Sequence, residues 1–582
     1  MKRKRADYFR LWSAGKQARL WRRPARALAV AMVCTMLNQT KATEPLKVNT
    51  SDLDEALMAG IHCLSNITNP DDRHIPYFTC HLAENVRMGF HHRFSVGNVV
   101  GRGLFAMLRA EQALEGKLAV DPEVIDRYRN LLLESYRYIG VSPATPAARG
   151  EPFNQIWVTN HYCGWRGLMA LAMWRGDEEA REILHRSIDD WKRWFVDPGY
   201  SWAAFRDHYE LEGHPGTGAE ETPWPEADAG WSRRVVYEGK SLLEYYLETG
   251  YEPARELGVQ LCEHVLEQHL SADGSMDNDH MYLPSMQLSA LALCGRITGN
   301  REMLERVRLA YEHGMKPVMA PTIGWVPERR LKQSDVGEIN NTGEVIEALL
   351  NLGAAGWPAY YQDAERFTRA HLLPAQLLDV SWVEPSPENP PDDSRRAVRE
   401  RVRGAWGFPA PYGIVATREP YFEGAYFMDI VCGGTWSTAA VKAHCVDYRD
   451  GVHYVNLLFD RVTPRLAVQS PYPDGDALRV RLAEPGPVHV RLSDWVDRAA
   501  LHVSGREGPL DFHLDGVYLV IPAPPVDEWI TIEFPLAIRE SVERVNGREI
   551  RIRWKGDSVL AMDSMGTPYP FFPEFAEAGG TD

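Results

Sequence analysis

From about residue 50 to residue 372 the sequence repeats one pattern, in which apolar residues recur every three or four positions. This period is typical of amphipathic α-helices. The pattern stops and restarts at short breaks that end helices, as at Arg175-Gly176 and Thr249-Gly250. Helix pairs of roughly 40 residues therefore predict a repeated array of α-hairpins.

About a dozen helices paired in this way can close into an (α/α)6 barrel, which is the fold that we predict for residues 44–375. An open solenoid of helix pairs is the competing architecture. The candidate helices are 52–65, 97–115, 123–139, 162–175, 177–196, 233–248, 252–270, 284–299, 301–315, 342–353 and 358–372. The long loop 200–232 is rich in Trp, His and acidic residues, which is typical of functional loops.

After residue 375 the period changes. A proline-rich, charged linker is followed by short segments in which apolar and polar residues alternate, such as VHVRLS, VYLVI and IRIRW. Alternation with a period of two indicates β-strands, and the glycine, proline and aspartate residues between them indicate turns. We therefore predict a linker and an antiparallel β-sandwich region, of one or two sandwiches, for residues 376–582.

Residues 1–43 differ from the rest of the chain. A strongly basic stretch precedes the apolar run ALAVAMVCTML, and a polar segment follows it. This order predicts an export signal, and hence a secreted or periplasmic protein, and Arg22-Arg23 suggests the twin-arginine type. A disordered tail on a cytoplasmic protein is the alternative. No other segment is apolar enough to span a membrane, so we expect no membrane association.

Charge and motifs exclude several classes of protein. The formal net charge of −16 repels phosphate backbones, so nucleic acid is not an expected partner. The eight cysteines are scattered and form no CxxC pair, which argues against a disulfide framework and a zinc ribbon. Phosphate-loop, dinucleotide-binding, HExxH and GxSxG motifs are absent.

Acidic residues stand at the starts of two predicted helices. Asp279 and His280 precede helix 284–299, and Glu338 and Glu344 flank the start of helix 342–353. At the mouth of a helical barrel such groups can hydrogen-bond sugar hydroxyls or transfer protons. The alternative is that they serve as helix caps.

Three further groups are candidates for substrate contacts. His161, Tyr162 and Arg166 lie at another helix start, where they can line a pocket. The adjacent His91 and His92 form either a binding group or a hydrogen-bonded loop. Trp436 follows two glycines, and an aromatic ring can stack on a sugar.

The order of a helical part and a β-rich part resembles glycoside hydrolase family 127, the β-L-arabinofuranosidases, over most of residues 150–560. The similar stretches include MDNDHMYLPSMQLSALALCGRITGN, GEINNTGEVIEALLNL, VCGGTWSTAA and VHVRLSDWVDRAALHVSGREG. The resemblance places His280 on a substrate-contacting histidine of the family, Glu338 on its zinc-binding glutamate and Cys432 on its second cysteine.

The resemblance implies a retaining hydrolase whose thiolate nucleophile is held on zinc by one glutamate and three cysteines, with a second glutamate as acid and base. A zinc-bound thiol is deprotonated at neutral pH. This sequence departs from that pattern, because Val431 stands at the nucleophile and Asn340 at another ligand position. The acid/base position falls on Thr322, with Glu328 nearby. We therefore expect neither zinc nor another cofactor.

The sequence as a whole predicts a glycoside hydrolase acting on a plant or microbial glycan. In it, a pair from Asp279, Glu338 and Glu344 supplies the acid and the base. An inactive glycan-binding protein is the first alternative. A polysaccharide lyase, with Tyr162 or His161 as base beside Arg166, is the second.

Overall fold

The computed structural model describes most of the chain after the predicted signal. The described residues are Pro45, Val48, 51–82, 85–211, 233–276, 278–331, 334–414 and 425–575. Residues 1–43 and the greater part of the long loop 200–232 lie outside them, so the export signal stays a prediction. No helix in the described part is long and apolar enough to cross a membrane.

Twelve helices of eight or more residues lie in the described part of the chain. They are α1 Leu53–Asn66, α2 Gly101–Leu114, α3 Pro122–Ser135, α4 His161–Trp174, α5 Glu178–Trp191, α6 Val236–Thr249, α7 Glu252–His269, α8 Tyr282–Thr298, α9 Arg301–Leu309, α10 Ile339–Ala354, α11 Tyr360–Phe367 and α12 Met428–His444. The first eleven confirm the eleven predicted helices. The twelfth lies beyond residue 375, in the part that we predicted to be linker and strands.

The even-numbered helices form a ring of contacts. Each of α2, α4, α6, α8 and α10 packs against the next, and α12 packs against both α10 and α2. The odd-numbered helices pack outside them. Helices α3 and α7 contact both even-numbered neighbours in the chain, α5, α9 and α11 contact the preceding one, and α1 contacts α2 and α12. The even-numbered helices are therefore the inner helices, and all six run in the same direction because an outer helix returns the chain each time.

Local sequence explains where the helices begin and end. Asp177 precedes α5, and its side chain accepts a hydrogen bond from the backbone N–H of Ala180 at 3.1 Å. Asp52 and Asn300 cap α1 and α9 in the same way. Gly250 ends α6 with a φ of 70°, a left-handed conformation that glycine adopts without strain.

Two larger sheets follow the helices. One contains six strands in the order β10-β11-β12-β18-β14-β15, and the other five in the order β16-β17-β13-β9-β8. Their bounds are β8 Val446–Arg449, β9 Val452–Val455, β10 Arg461–Val462, β11 Leu466–Gln469, β12 Ala477–Leu482, β13 Val488–Arg491, β14 His502–Gly505, β15 Gly508–Pro509, β16 His513–Asp515, β17 Tyr518–Ile521 and β18 Trp529–Glu533. Both sheets contribute to one separate apolar core, as expected of a sandwich. The predicted antiparallel order holds except that β9 and β13 pair in parallel.

A third sheet belongs to the helical part rather than to the sandwich. It contains β19 Ile538–Val545, β20 Arg548–Lys555 and β21 Ser558–Met562, all antiparallel. Its buried residues Ile552 and Trp554 join the apolar core of the helices. Buried polar contacts also tie α11 to the β-rich region, since Arg491 pairs with Glu365 and Gln362 donates to Asp557 at 2.9 Å.

Short elements complete the helical part. A small sheet of three strands joins β3 Thr79–His81 to β4 Arg87–Gly89 and to β7 Ala425–Phe427, which leads directly into α12. The remaining strands are β1 Thr68–Asn69, β2 Ile75–Pro76, β5 Ala144–Pro146 and β6 Phe153–Ile156. Short helical segments are Ser95–Val100, Val158–Asn160, Lys192–Val196, Trp202–His208, Ala310–Met315, Lys316–Val318, Thr368–Leu372, Asp393–Arg395, Val398–Arg401 and Arg498–Ala500.

Candidate active site

The amino-terminal ends of the six inner helices meet at one end of the ring. The residues at these ends are Arg102 of α2, Tyr162 of α4, Tyr237 and Glu238 of α6, Tyr282 of α8, Glu338 just before α10 and Asp429 of α12. They touch one another around the ring, since the rings of Tyr162 and Tyr237 lie 5.1 Å apart and those of Tyr237 and Tyr282 lie 5.4 Å apart. We call this group the mouth cluster.

Glu338 is the acid of the mouth cluster that has Asn340 and His280 as polar neighbours. Its Oε1 accepts a hydrogen bond from Asn340 Nδ2 at 3.1 Å, and its Oε2 lies 3.8 Å from His280 Nε2. Burial, together with the negative charges of Asp429 and Glu328, raises the pKa of Glu338 to about 8. The carboxyl group is therefore protonated at neutral pH, as a general acid must be.

Asp429 shares the mouth cluster with a buried arginine. Arg102 donates from Nη2 to the backbone oxygen of Asp429 at 2.7 Å, and its Nη1 lies 3.8 Å from Asp429 Oδ2. The same Nη1 donates to the hydroxyl of Tyr162 at 2.7 Å. Burial raises the pKa of Asp429, against the opposing charge of Arg102. About a fifth of the Asp429 side chain is exposed (21%), whereas its Oδ1 is enclosed.

Glu328 lies in the segment between α9 and α10, beside Glu338. Both backbone polar groups of Glu328 are hydrogen-bonded. Its oxygen accepts from Met281 N–H at 3.0 Å, and its N–H donates to the backbone oxygen of Val336 at 2.9 Å. Its Oε1 lies 3.6 Å from Arg329 Nε. The sequence pointed only to the neighbourhood of this residue, whereas the structure makes it a buried carboxyl beside Glu338.

His280 and Asp279 stand at the rim of the mouth. His280 is about a third exposed (37%) and forms an isolated β-bridge with Arg329. Asp279 Oδ1 accepts from the backbone N–H of Leu331 at 2.8 Å, and its Oδ2 lies 3.3 Å from Arg329 Nη1. Asp279 therefore holds the 329–331 segment in place, while His280 is the member of the predicted pair that faces Glu338.

Glu344 is not brought together with Glu338. It lies inside the ring, where Lys240 Nζ is 2.6 Å from its Oε2 and Ser289 also donates to it. Lys240 Nζ lies 3.0 Å from Glu347 as well. Six positions along a helix span roughly 9 Å, which separates Glu344 from the mouth. The predicted Glu338–Glu344 pair is thus divided between the mouth and a buried ion cluster.

Of the group at the start of α4, His161 lies away from the mouth. It is fully buried and packs against Trp191 and Trp202 on the outer side of α4. Trp191 Nε1 donates to His161 Nδ1 at 3.1 Å, and burial lowers the pKa of the histidine to about 3. The predicted substrate contact at His161 is therefore wrong for this structure, because the side chain is part of the packed core.

Tyr162, Arg166 and Trp436 lie within the ring. Tyr162 belongs to the mouth cluster, as described above. Arg166 and Trp436 lie deeper, and the Arg166 guanidinium stands 4.4 Å from the centre of the Trp436 ring and 3.2 Å from Glu244. Arg102 lies 4.7 Å from the same ring. Both Arg166 and Trp436 are fully buried, so they support the mouth from below rather than offer a surface to a sugar.

His91 and His92 form a hydrogen-bonded loop ahead of α2. His91 Nδ1 accepts from the backbone N–H groups of Arg93 at 3.2 Å and Phe94 at 3.3 Å. Burial is the main cause that lowers the pKa of His91 to about 4. His92 is exposed and stacks on His91 with ring centres 4.9 Å apart. The loop alternative fits His91, and His92 remains a candidate contact.

The residues present do not fit the zinc-thiolate centre that the resemblance implies. Asn340 holds Glu338 by a neutral amide, and the Cys432 thiol is buried, which raises its pKa. The charged or thiol neighbours of Cys432 are Arg102, Asp429, Cys163 and Cys63. In the described part of the chain no three His, Cys, Asp or Glu residues are grouped as metal ligands. No step of the reaction is therefore assigned to zinc.

The sequence analysis overlooked Arg102, Tyr237, Glu238 and Tyr282. None of them was singled out by the acidic and histidine clusters that guided the prediction, although Tyr282 stands two residues after His280. A usable signal was nevertheless present, because every one lies in the first turn of an inner helix. Once helices alternate between the inside and the outside of a ring, the first turn of every second helix faces the same mouth.

No family model and no curated protein matches this sequence. Solved structures do match it. A GH127 β-arabinofuranosidase superposes with a TM-score of 0.54 at 11% identity, over 89% of this chain and 84% of that one. A GH127 β-L-arabinofuranosidase from Geobacillus stearothermophilus T6 superposes with a TM-score of 0.50 at 12% identity, over 91% and 82% of the two chains.

A further solved structure, described as a glycoside hydrolase, superposes with a TM-score of 0.50 at 11% identity, over 85% of this chain and 84% of that one. The chain therefore has a glycoside-hydrolase-like fold, and the distant resemblance to family 127 is confirmed at the level of the fold. At such low identity the superposition assigns neither substrate nor catalytic residues.

Proposed function

We propose that the protein is a glycoside hydrolase whose mouth cluster lies at one end of a closed (α/α)6 barrel. The closed ring of inner-helix contacts supports the barrel, and the fold shared with family 127 supports the class. The observation that carries the proposal is Glu338, a buried carboxyl group with a pKa of about 8 beside two other acids at this mouth.

In the proposed reaction Glu338 donates its proton to the oxygen of the leaving sugar. Asp429 is the anionic partner that attacks the anomeric carbon, directly or through a water molecule. It is chosen over Glu328 because its charge acts more strongly on Glu338 and its side chain is more exposed. Its negative charge also keeps Glu338 protonated, which separates the roles of the two acids.

The sugar would lie against the tyrosines of the mouth cluster, with His280 on one of its hydroxyls. Carbohydrate is accordingly the proposed partner, a plant or microbial glycan the proposed substrate, and no cofactor is required. The basic stretch followed by an apolar run within residues 1–43 supports export to the periplasm or the medium.

The test is a screen of the purified, chelator-treated protein on aryl glycosides and glycans. We expect Glu338→Gln and Asp429→Asn each to lower kcat/KM by at least ~100-fold. Glu178→Gln, at a side chain that is 71% exposed, is the control and should act as wild type. Full activity in Glu338→Gln, or activity that returns only with zinc, would contradict the proposal.

A second candidate function is glycan binding without turnover. The observation that favours it is Val431 at the position of the family's nucleophile, because valine has no reactive group. In the same screen, saturable binding of a glycan with no hydrolysis would support this candidate. The lyase alternative has less support, because neither proposed base is suited to the role. His161 lies in the core. Burial raises the pKa of Tyr162 well above its usual value, although the charge of Arg102 opposes this.

A further inference from the structure

A second cavity lies at the end of the barrel opposite the mouth cluster. It contains about 700 Å³ of empty space, part of it open to solvent, and every inner helix contributes to its wall. The lining residues include Phe105, Arg109, Trp174, Arg296, Glu347 and His444. Most of them stand in the later turns of their helices, so we call this space the carboxy-terminal cavity.

Two of the three cations in this wall are already neutralised. Lys240 Nζ lies 3.0 Å from Glu347, and Arg109 Nη1 lies 3.2 Å from Glu244. These pairs are buried or half-buried and sit toward the barrel centre. The remaining acid of the wall is Glu248, whose charge also acts on Arg109.

Arg296 is the exception. Among the described residues no carboxylate lies within ion-pair distance of it, and its guanidinium makes no hydrogen bond to them. Its Nε is enclosed without a partner, whereas its terminal nitrogens are open. Burial lowers the pKa of Arg296, although the more distant Tyr361 and Asp447 oppose this, so the cation is partly desolvated with no carboxylate in direct contact. Such a guanidinium favours a carboxylate or a comparable anion.

The rest of the wall is suited to the body of a small polar molecule. His444 Nδ1 donates to the backbone oxygen of Ala440 at 2.9 Å, and burial lowers the pKa of His444 to about 4. The ring is therefore neutral and its Nε2 accepts a hydrogen bond, as from a hydroxyl group. Trp174 and Phe105, with ring centres 5.6 Å apart, provide an apolar surface.

We propose that the carboxy-terminal cavity binds a small hydroxy-carboxylate of the sugar-acid class. The carboxylate pairs with Arg296, a hydroxyl donates to His444 Nε2, and the carbon chain lies against Trp174. This site is separate from the mouth cluster and does not depend on the proposed hydrolase activity.

The test is calorimetric titration of the full chain with D-gluconate at low ionic strength, with D-glucose as the uncharged comparison. We expect gluconate to bind saturably and glucose to bind at least ~10-fold more weakly. Arg296→Gln should weaken gluconate binding at least ~10-fold. Leu247→Trp, at a half-exposed lining position, should also weaken it by filling the cavity while leaving Arg296 intact.

Two controls assign the site. Arg301→Gln removes an arginine that stacks on Trp357 outside the cavity, and it should bind gluconate as wild type does. Glu338→Gln should also keep gluconate binding, even where it abolishes hydrolysis. Wild-type protein that shows no saturable binding, or Arg296→Gln that binds normally, overturns the proposal. So does binding that is lost in Glu338→Gln alone, because the ligand would then occupy the mouth.

Discussion

Glu338 and Glu238 are acids that the fold keeps protonated. Burial is the main cause in both, and it raises the pKa of each to about 8. For Glu338 the charges of Asp429 and Glu328 add to the effect. An acid that stays neutral at pH 7 can donate a proton, whereas one that is already ionised cannot.

The raised pKa of Glu238 makes stability depend on pH. In the unfolded chain the residue titrates near 4.5, so between pH 4.5 and about 8 the folded state binds a proton that the unfolded state has lost. The free energy of unfolding is therefore highest below that window and falls as the pH rises through it. We expect urea unfolding of Glu238→Gln to have a smaller pH slope than wild type from pH 5 to 8. An unchanged slope would contradict the assignment.

Lys240 lies between Glu344 and Glu347 inside the ring of inner helices and offsets their charge. Lys240→Met leaves two buried acids without their cation, which we expect to cost about 3–5 kcal/mol in the free energy of unfolding. Lys192→Met is the matched control, because its pair with Glu256 is exposed and is worth less than ~1 kcal/mol. Equal effects of the two substitutions in urea unfolding would argue against a buried ion cluster.

At this scale the sequence predicted some site residues and misplaced others. Glu338 and His280 were predicted in one site from the starts of two different helices, and Glu338 Oε2 lies 3.8 Å from His280 Nε2. Glu344 was misplaced because residues that are close in sequence within one helix still lie at different heights along the helix axis. Arg102 was missed because its partners Tyr162 and Asp429 come from helices far away in the chain.

At the scale of the element, α12 is the instructive case. Breaks such as Arg175-Gly176 and Thr249-Gly250 indicated the bounds of the first eleven helices, even where almost every residue is buried, as in α8 and α10. Helix α12 is equally buried and has no polar face to reveal its period. Its Gly433-Gly434 pair and its β-branched residues also argue against a helix by intrinsic preference. Tertiary packing between α2 and α10 overrides that preference.

The glycines of α12 are required by close packing. A Cβ atom at Gly434 would lie 2.5 Å from the buried ring of Trp406. Although alanine is normally the better helix former, we expect Gly434→Ala to destabilise the protein by about 1–3 kcal/mol in thermal or urea unfolding. Gly239→Ala in α6, where the nearest atom would be Cys262 Sγ at 3.1 Å, should cost less. Stabilisation by Gly434→Ala would refute this packing argument.

At the scale of the whole molecule, the predicted boundary at residue 375 does not separate two independent parts. Helix α12 completes the inner ring, and the β19–β21 sheet shares the core of the helices. Composition and period locate strands and helices, but they do not tell which core a strand joins. For that reason the sequence predicted the order of the parts correctly and their division incorrectly.

A fragment of residues 48–375 should therefore fail to fold. It lacks α12, so α2 and α10 would expose the apolar faces that α12 covers. We expect this fragment to aggregate or to lack a cooperative thermal transition by circular dichroism. A fragment of residues 48–575 should show such a transition. Cooperative melting of the shorter fragment would mean that the ring does not need its last helix.

The late position of α12 in the chain also delays completion of the ring during synthesis. Helix α2 ends at Leu114, whereas α12 begins at Met428. At ~5–20 residues per second, roughly 15–60 s pass between the emergence of the two from the ribosome. During that interval the growing chain carries an incomplete ring with an open seam. Molecular chaperones that bind nascent apolar surfaces should therefore act on this protein until the last inner helix appears.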